Sequence, residues 1–407
     1  MRLPSASLRI TAFACVALFF SSPASAQKKY DTGATDTEIK IGNIMPYSGP
    51  SSAYATIGKT EAAYFKKVNA EGGINGRKIN FISYDDAYSP PKTVEQARKL
   101  VESDQVLLIF ESLGTPTNLA IRKYLNDQNV PQVFVATGAT TFGDPKNFPW
   151  TIGWQPTYQI EGRICARYLL DQYPNARIGV LYQNDDSGRD YLKGLEDGLG
   201  GKIPIVAKQP YDVSMPTVDS QIVLLKNSGA DVFFISAVPK FAAQAIRKAG
   251  ELDWHPIRLL ASVSASVGAV LKPAGVENSK GVMSAGYLKD PTDPTWRNDP
   301  AVKEWEAFLD QYYPDADRTS SFTVYGYLLA QTMIQVLSQC GDDLSRANVM
   351  RQAANLKDLE LGMLLPGIKI NTSPSNYFPV TQMQMVRFNG ENVELFGPVI
   401  SGAIPGQ

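Results

Sequence analysis

Residues 106–136 read VLLIFESLGTPTNLAIRKYLNDQNVPQVFVA. The apolar run VLLIFES breaks at Gly114 and Pro116, TNLAIRKYLNDQ then carries apolar residues at helical spacing, and PQVFVA is a second β-type run. Strand, loop, helix and strand in that order make one crossover unit of a parallel sheet, because parallel neighbours are joined by a helix laid over the sheet. The loop before the helix is rich in Ser, Thr and Gly, a composition that aims backbone N–H groups at an anion.

The unit recurs on both sides. Upstream, EIKIGNIM and KINFISYDD are strands, with helices at TIGKTEAAYFKKVNAEGG and PKTVEQARKLVES. After WTIGWQPTY the rhythm restarts: QIEGRICARYLLDQY is a helix and ARIGVLYQND a strand, and GRDYLKGLEDGL, PIVAKQPYD, VDSQIVLLKNSG, DVFFISA, KFAAQAIRKAGEL and IRLLASV continue it. Two successive α/β series of like size predict two lobes with parallel, doubly wound sheets. The helices AVKEWEAFLDQYYP, SSFTVYGYLLAQTMIQVLSQCG and LSRANVMRQAANL bring no strand and must pack on an existing lobe. If that is the first lobe, the chain crosses between lobes three times. The end, GIKIN and VTQMQMVRFNGENVELFGPVI, reads as strands with a turn at Asn389-Gly390.

The amino terminus decides the compartment. Arg2 and Arg9, the apolar stretch Ile10 to Phe20 and SSPASAQ form an export leader over residues 1–26, cleaved before Gln27. Removing 26 of 407 residues leaves 381, more than one core usually covers. No later stretch is apolar enough to span a bilayer. Basic and acidic side chains nearly balance, 39 against 40, without a basic cluster, so nucleic acid is excluded as a partner. Cys165 and Cys340 remain after processing, each in an apolar helical context that favours buried free thiols.

Signals for catalysis are thin. The single histidine, His255, sits in DWHPI; there is no Gly-x-Ser-x-Gly elbow and no His-Glu-x-x-His. GLEDGLGGKI (194–203) fails the phosphate-loop spacing, and Asp85-Asp86 and Asp185-Asp186 read as turn or capping residues. The chain is expected to be no enzyme and to carry no cofactor or metal. Binding signals are better. MPYSGPSSAYATIG (45–58), ESLGTPTN (111–118) and ATGATTFGD (136–144) each follow a strand of the first series, where open α/β sheets take ligands. Their hydroxyls and amides suit a carboxylate.

At these residues the chain resembles the branched-chain amino-acid binding proteins of ABC importers, the Leu/Ile/Val-binding type of type I periplasmic receptor. IKIGNIMPYSGPSSAYATIG, VNAEGGINGRKI, YDDAYSPPKTVEQARKLV, VPQVFVATGATT, ARIGVLYQNDDSGRDYLKGLEDGL, GADVFFISAVPKFAAQAIRKAG and GVENSKGVMSAGYL carry the likeness. The resemblance implies a monomeric periplasmic receptor that closes two lobes around a small ligand and hands it to a membrane permease. Lobe 1 would comprise 37–154 and 288–366, lobe 2 155–287 and 367–403.

It also implies a site. The ligand carboxylate would be held by Leu113, Gly114 and Thr115 and by Gly138, Ala139 and Thr140; Gly114, standing for a family serine, would offer its N–H. Phe322 falls where the family packs an aromatic on the ligand, and Tyr54 or Ile57 near its first-loop aromatic. Ser187 and Val238 fall on family tyrosines. Val263 falls on the glutamate that neutralises the ligand ammonium, and Tyr88 and Leu113 on a family disulfide. With Tyr47, Trp154 and Tyr158 as further candidate aromatic walls, the expected ligand is an aromatic or aliphatic acid without an α-ammonium. The alternative, a true amino acid, needs a carboxylate such as Glu111 or Asp186; an exported enzyme or sensing subunit is the third reading.

Overall fold

The structure, a computed structural model, describes residues 28–402; the expected leader and its cleavage site lie outside them. After a two-residue strand β1 (Lys29–Tyr30) the first series runs β2 (Glu38–Met45), α1 (Ala55–Ala70), β3 (Lys78–Asp85), α2 (Pro90–Arg98), β4 (Leu108–Phe110), α3 (Thr115–Asp127), β5 (Gln132–Val135) and β6 (Thr151–Gly153). The second runs α4 (Tyr158–Gln172), β7 (Ile178–Gln183), α5 (Asp186–Leu199), β8 (Ile205–Tyr211), α6 (Asp219–Asn227), β9 (Val232–Ser236), α7 (Pro239–Glu251), β10 (Ile257–Leu260), α8 (Val276–Ser279) and β11 (Met283–Gly286). There follow α9 (Pro300–Tyr312), α10 (Ser321–Cys340), β12 (Asp343–Leu344), α11 (Arg346–Ala353), β13 (Gln382–Phe388) and β14 (Val393–Ser401).

The strands assort into two main sheets. The first has the order β3-β2-β4-β5-β6, all parallel. The second has the order β14-β13-β11-β10-β9-β7-β8, parallel from β8 to β11 with an antiparallel pair, β13 and β14, added beside β11. Burial follows position. The central strands β4, β5 and β9 are buried along their whole length, which is why LIF, QVFV and VFFIS read as unbroken β runs. The edge strand β8 is only partly buried and tolerates Pro210, since an edge strand has an N–H to spare.

The chain leaves the first sheet after β6, returns after β11, and leaves again after α11. On its return α9 and α10 pack against α1, which gives these strandless helices the lobe they need. Their interface is aromatic: Tyr64 of α1 meets Phe308 and Tyr327 at ring-centroid distances of 5.6 and 5.1 Å. The terminal hairpin forms as expected, its turn held by the Asn389 side chain, which accepts from the N–H groups of Glu391 and Asn392. The expected strand GIKIN does not form. Only Ile370 makes a bridge, to Leu359, because residues 354–381 are irregular chain fixed by local bonds such as Thr372 Oγ1 donating to the Ala353 carbonyl, 2.7 Å. Cys165 and Cys340 are buried and unpaired.

The strand orders place the site. In the first sheet the sequence order reverses between β2 and β4, and in the second between β7 and β9. At such a switch the loops after adjacent strands diverge and leave a crevice at the strands' carboxyl ends. The two crevices face each other.

Candidate ligand-binding site

A cavity of about 790 Å3, counted out to its mouth, lies between the lobes. The first sheet's switch contributes Tyr54 and Ile57 beyond β2, and Leu113, Gly114 and Thr115 beyond β4; Tyr88 follows β3 and Ala136 follows β5. The second sheet's switch contributes Gln183 and Ser187 beyond β7, and Ser236, Ala237 and Val238 beyond β9; Tyr191 on α5 and Ser262 and Val263 beyond β10 complete that wall. Gln155, Tyr158, Tyr287 and Leu288 come from the first two crossings, and Ser321, Phe322 and Tyr325 from the start of α10.

Of the residues expected at the site, Tyr54, Leu113, Gly114, Thr115, Ser187, Val238, Val263 and Phe322 are brought together here, whereas Tyr47, Gly138, Ala139, Thr140 and Trp154 are not among the lining residues. Trp154 is fully buried behind the wall, donating to Thr332 Oγ1 and set edge-on to Tyr325. Tyr47 shares a hydrogen with Ser83 Oγ, 2.6 Å. Thr140 has its N–H and hydroxyl taken by Asp190 of α5, at 2.6 and 2.8 Å, and Gly138 accepts from the Tyr158 N–H. The Gly114 N–H donates to the Ala136 carbonyl, 3.2 Å, so the expected donor at that position is already used. Thr115 lines the cavity there, and its N–H, first in α3, has no acceptor within its helix.

Gly114 is needed for shape. Its φ of 103° belongs to glycine, and a Cβ would stand 2.5 Å from both Thr117 Oγ1 and the Tyr88 ring. Tyr88, itself in left-handed backbone at φ 60°, therefore fits only because residue 114 lacks a side chain. These two lie at positions where the family resemblance set a disulfide and a serine.

No ionisable acid or base lines the cavity: its polar groups are phenols, hydroxyls, two amides and backbone. The six lining tyrosines, 54, 88, 158, 191, 287 and 325, are held neutral by burial, which raises their phenol pKa values, to about 12 at Tyr158. Two helix amino ends from the first lobe, α3 and α10, point their residues at the cavity without a side-chain cap. By contrast α5 is capped by its own Asp185, which accepts from the N–H groups of Ser187 and Gly188. On the second wall α7, whose N-cap Val238 lines the cavity, is likewise uncapped, so positive potential is left open at α3, α10 and α7 and quenched at α5.

Acids stand behind the walls. Glu161 of α4, 1% exposed, accepts from Ser262 N (2.6 Å), Ser262 Oγ (2.6 Å) and Tyr191 Oη (3.0 Å), and burial pushes its pKa up to about 7. Glu111 and Glu61 form a second buried pair, both raised well above the usual carboxylate range by burial, with three of their four carboxyl oxygens free of protein partners. Neither Glu111 nor Asp186, which is paired with Arg189, lines the cavity. The lobes touch across the mouth: Tyr54 Oη donates to the Val263 carbonyl, 3.0 Å, and Gln183 Nε2 to Tyr88 Oη, 3.5 Å.

Two lobes with facing switch points and an enclosed, uncharged cavity describe a capture site. The family model for periplasmic binding proteins matches residues 38–392. The chain is a periplasmic binding protein. It is 22% identical over 333 residues to a Leu/Ile/Val-binding protein homolog 1 from Brucella suis biovar 1, spanning 80% of this chain and 85% of that one. A branched-chain amino-acid ABC transporter structure from Thermus thermophilus with bound valine superposes at a TM-score of 0.81, 15% identical, covering 90% of this chain and 97% of that one. A solute-binding protein of an ABC transporter from Rhodopseudomonas palustris BisB5, in complex with 3,4-dihydroxy benzoic acid, superposes at 0.75, 18% identical, covering 91% and 99%. These relatives are substrate-binding transport proteins and not enzymes. No helix among the described residues is long and apolar enough to cross a membrane.

Most of the site that sequence reasoning missed comes from places without a loop signature. Tyr287 and Tyr325 belong to the second crossing and a buried helix, and Glu161 to the first turn of α4, where an acid reads as ordinary helix-end charge.

Proposed function

We propose that this periplasmic binding protein captures a small organic acid lacking an α-ammonium, aromatic or aliphatic, and delivers it from the periplasm to an ABC permease. The observation that carries the reading is the lining itself. Amides and phenol donors of the first lobe face an anion, and no carboxylate faces a cation. Val263 stands where an amino-acid binder of this type is expected to keep its ammonium partner, and burying an ammonium without one costs several kcal/mol. Thr115 N–H and the open ends of α3 and α10 supply the anion's side of the site. Phe322, 5.1 Å from Tyr54 between ring centroids, and the stacked pair Tyr158–Tyr191, 4.4 Å apart, give the flat apolar surface that holds a hydrocarbon body. The fold is shared by structures holding valine and a dihydroxybenzoic acid, so the choice of ligand is left to the side chains. Closure follows because a ligand touching both walls binds the shut lobes better than the parted ones.

A thermal-shift screen of benzoate, phenylacetate, phenylpropionate and short aliphatic acids against leucine, valine and phenylalanine tests this. A binder at a hundredfold excess over its Kd adds about 2.7 kcal/mol of stability. Stabilisation by leucine, with none by its deaminated acid, would overturn the reading.

A further inference from the structure

We infer that Glu161 sets the hydrogen-bond polarity of the second lobe's wall, so that the ligand carries a hydroxyl, or another neutral donor, at the end remote from its carboxylate. The inference rests on the carboxylate reading above and goes on to specify the ligand's other end.

Proton counting carries it. Tyr191 and Ser262 line the cavity, and each has one hydroxyl hydrogen; both hydrogens are donated to Glu161 Oε2, at 3.0 and 2.6 Å. Ser187, on the same wall, donates its hydrogen to Asp185 Oδ1, 2.5 Å. The Val263 carbonyl has no hydrogen to give. These four oxygens can therefore only accept from a ligand; of the hydroxyls on this wall, Ser236 alone keeps a hydrogen that can turn either way. The first lobe's side carries donors. Tyr88 Oη accepts from Gln183 Nε2 and so keeps its own hydrogen, beside the Thr115 N–H, while Tyr54 has given its hydrogen to Val263; Tyr158, stacked on Tyr191 between the walls, accepts from Thr137 Oγ1 and also keeps its hydrogen. Donors face acceptors across one small space. A carboxylate matches the first set, and the second leaves a hydrogen to be supplied by the ligand.

Glu161 is a positioning residue: it touches no cavity space itself, yet its three accepted bonds fix which way two hydroxyls point. It also holds the turn Ser262–Ser264 by the Ser262 N–H, so the carbonyl that receives Tyr54 stays in place. A neutral ligand donor suits this wall better than an ammonium, because Glu161, once ionised, spends its negative charge on three protein hydrogens.

The experiment is a calorimetric titration of the mature protein with benzoate, phenylacetate and phenylpropionate, each as the parent, para-hydroxy and para-methoxy acid. The para-hydroxy form of the best-fitting frame should bind about 10–100-fold tighter than its parent and its methoxy ether, since buried acceptors left unmatched carry that penalty. In Glu161→Gln, where the amide can donate and the Ser262 and Tyr191 hydrogens are freed, the preference for hydroxy over methoxy should fall to within about threefold, whatever happens to absolute affinity. Equal binding of parent and hydroxy acids to the wild type, or a full preference kept by Glu161→Gln, overturns the inference while leaving the carboxylate reading intact. If Glu161→Gln does not fold, the wild-type series alone decides. Binding of amino acids with none of the acids, or of no compound at millimolar concentration, overturns the carboxylate reading itself.

Discussion

Val263→Glu is the sharpest probe of the site's charge logic, because it places a carboxylate where the cavity has none. A cavity of about 790 Å3, taken as a sphere, is about 11 Å across, so charges held by facing walls sit about 8 Å apart and interact by about 2 kcal/mol at an effective dielectric of about 20. For an acid gripped at the first lobe's wall that repulsion corresponds to about 30-fold weaker binding. Val263→Gln, nearly isosteric and neutral, separates charge from bulk, so the quantity of interest is the ratio of the two variants' Kd values, measured by calorimetry. Burial will raise the new acid's pKa, as it does for Glu161, and the ratio should therefore shrink toward one as pH falls below about 6. The same charge should favour a zwitterion. A Glu/Gln ratio near one at pH 8, with the acid still bound, would refute the claim that an anion sits opposite residue 263.

Gly114→Ala should lose about 1–3 kcal/mol in thermal unfolding, since alanine must enter a glycine region of backbone and meet Tyr88, and Tyr88→Ala should recover part of that loss; no recovery would show that the two do not compete for space. Glu161 has its pKa raised from about 4.5 to about 7, so it contributes stability that is complete below the unfolded pKa and disappears as pH rises through the folded one; Glu161→Gln should flatten the wild type's stability slope by about 3 kcal/mol between pH 4.5 and 7. The titratable groups facing it are Tyr191, Tyr158, Tyr287 and Cys165, none of which ionises in that window. Glu111→Gln should raise the melting temperature at pH 8 more than at pH 5, because it removes one of two buried acids whose charged forms are disfavoured; a drop at pH 8 would contradict this. Asp190→Ala removes the acceptor for Thr140 and Gln159 and should cost about 1–3 kcal/mol in urea denaturation without altering the order in which acids bind.

The two-lobed fold was legible because each strand–helix pair carries its own period, and because buried central strands such as VFFIS leave an unbroken apolar signal. Half the wall was legible for a related reason: loops after β2 and β4 declare themselves by glycine, proline and hydroxyls at a helix start. The hydrogen-bond state of those loops was not. Gly114 offers an N–H in sequence, but the pairing of Leu113 with Ala136 consumes it, and Thr140 finds Asp190, 50 residues away, before any ligand. Long-range partners of this kind leave no local pattern. GIKIN failed for the converse reason: its alternation suits a strand, but no sheet edge reaches it.

The first sheet is drawn from one continuous stretch, β2 to β6, whereas the second is finished only by β13 and β14, which join it after α9, α10 and α11 have intervened. Until that hairpin arrives, β11 presents a bare edge of the sort that recruits stray strands. The second lobe should therefore not mature without the hairpin, and a polypeptide halted after α11 should aggregate.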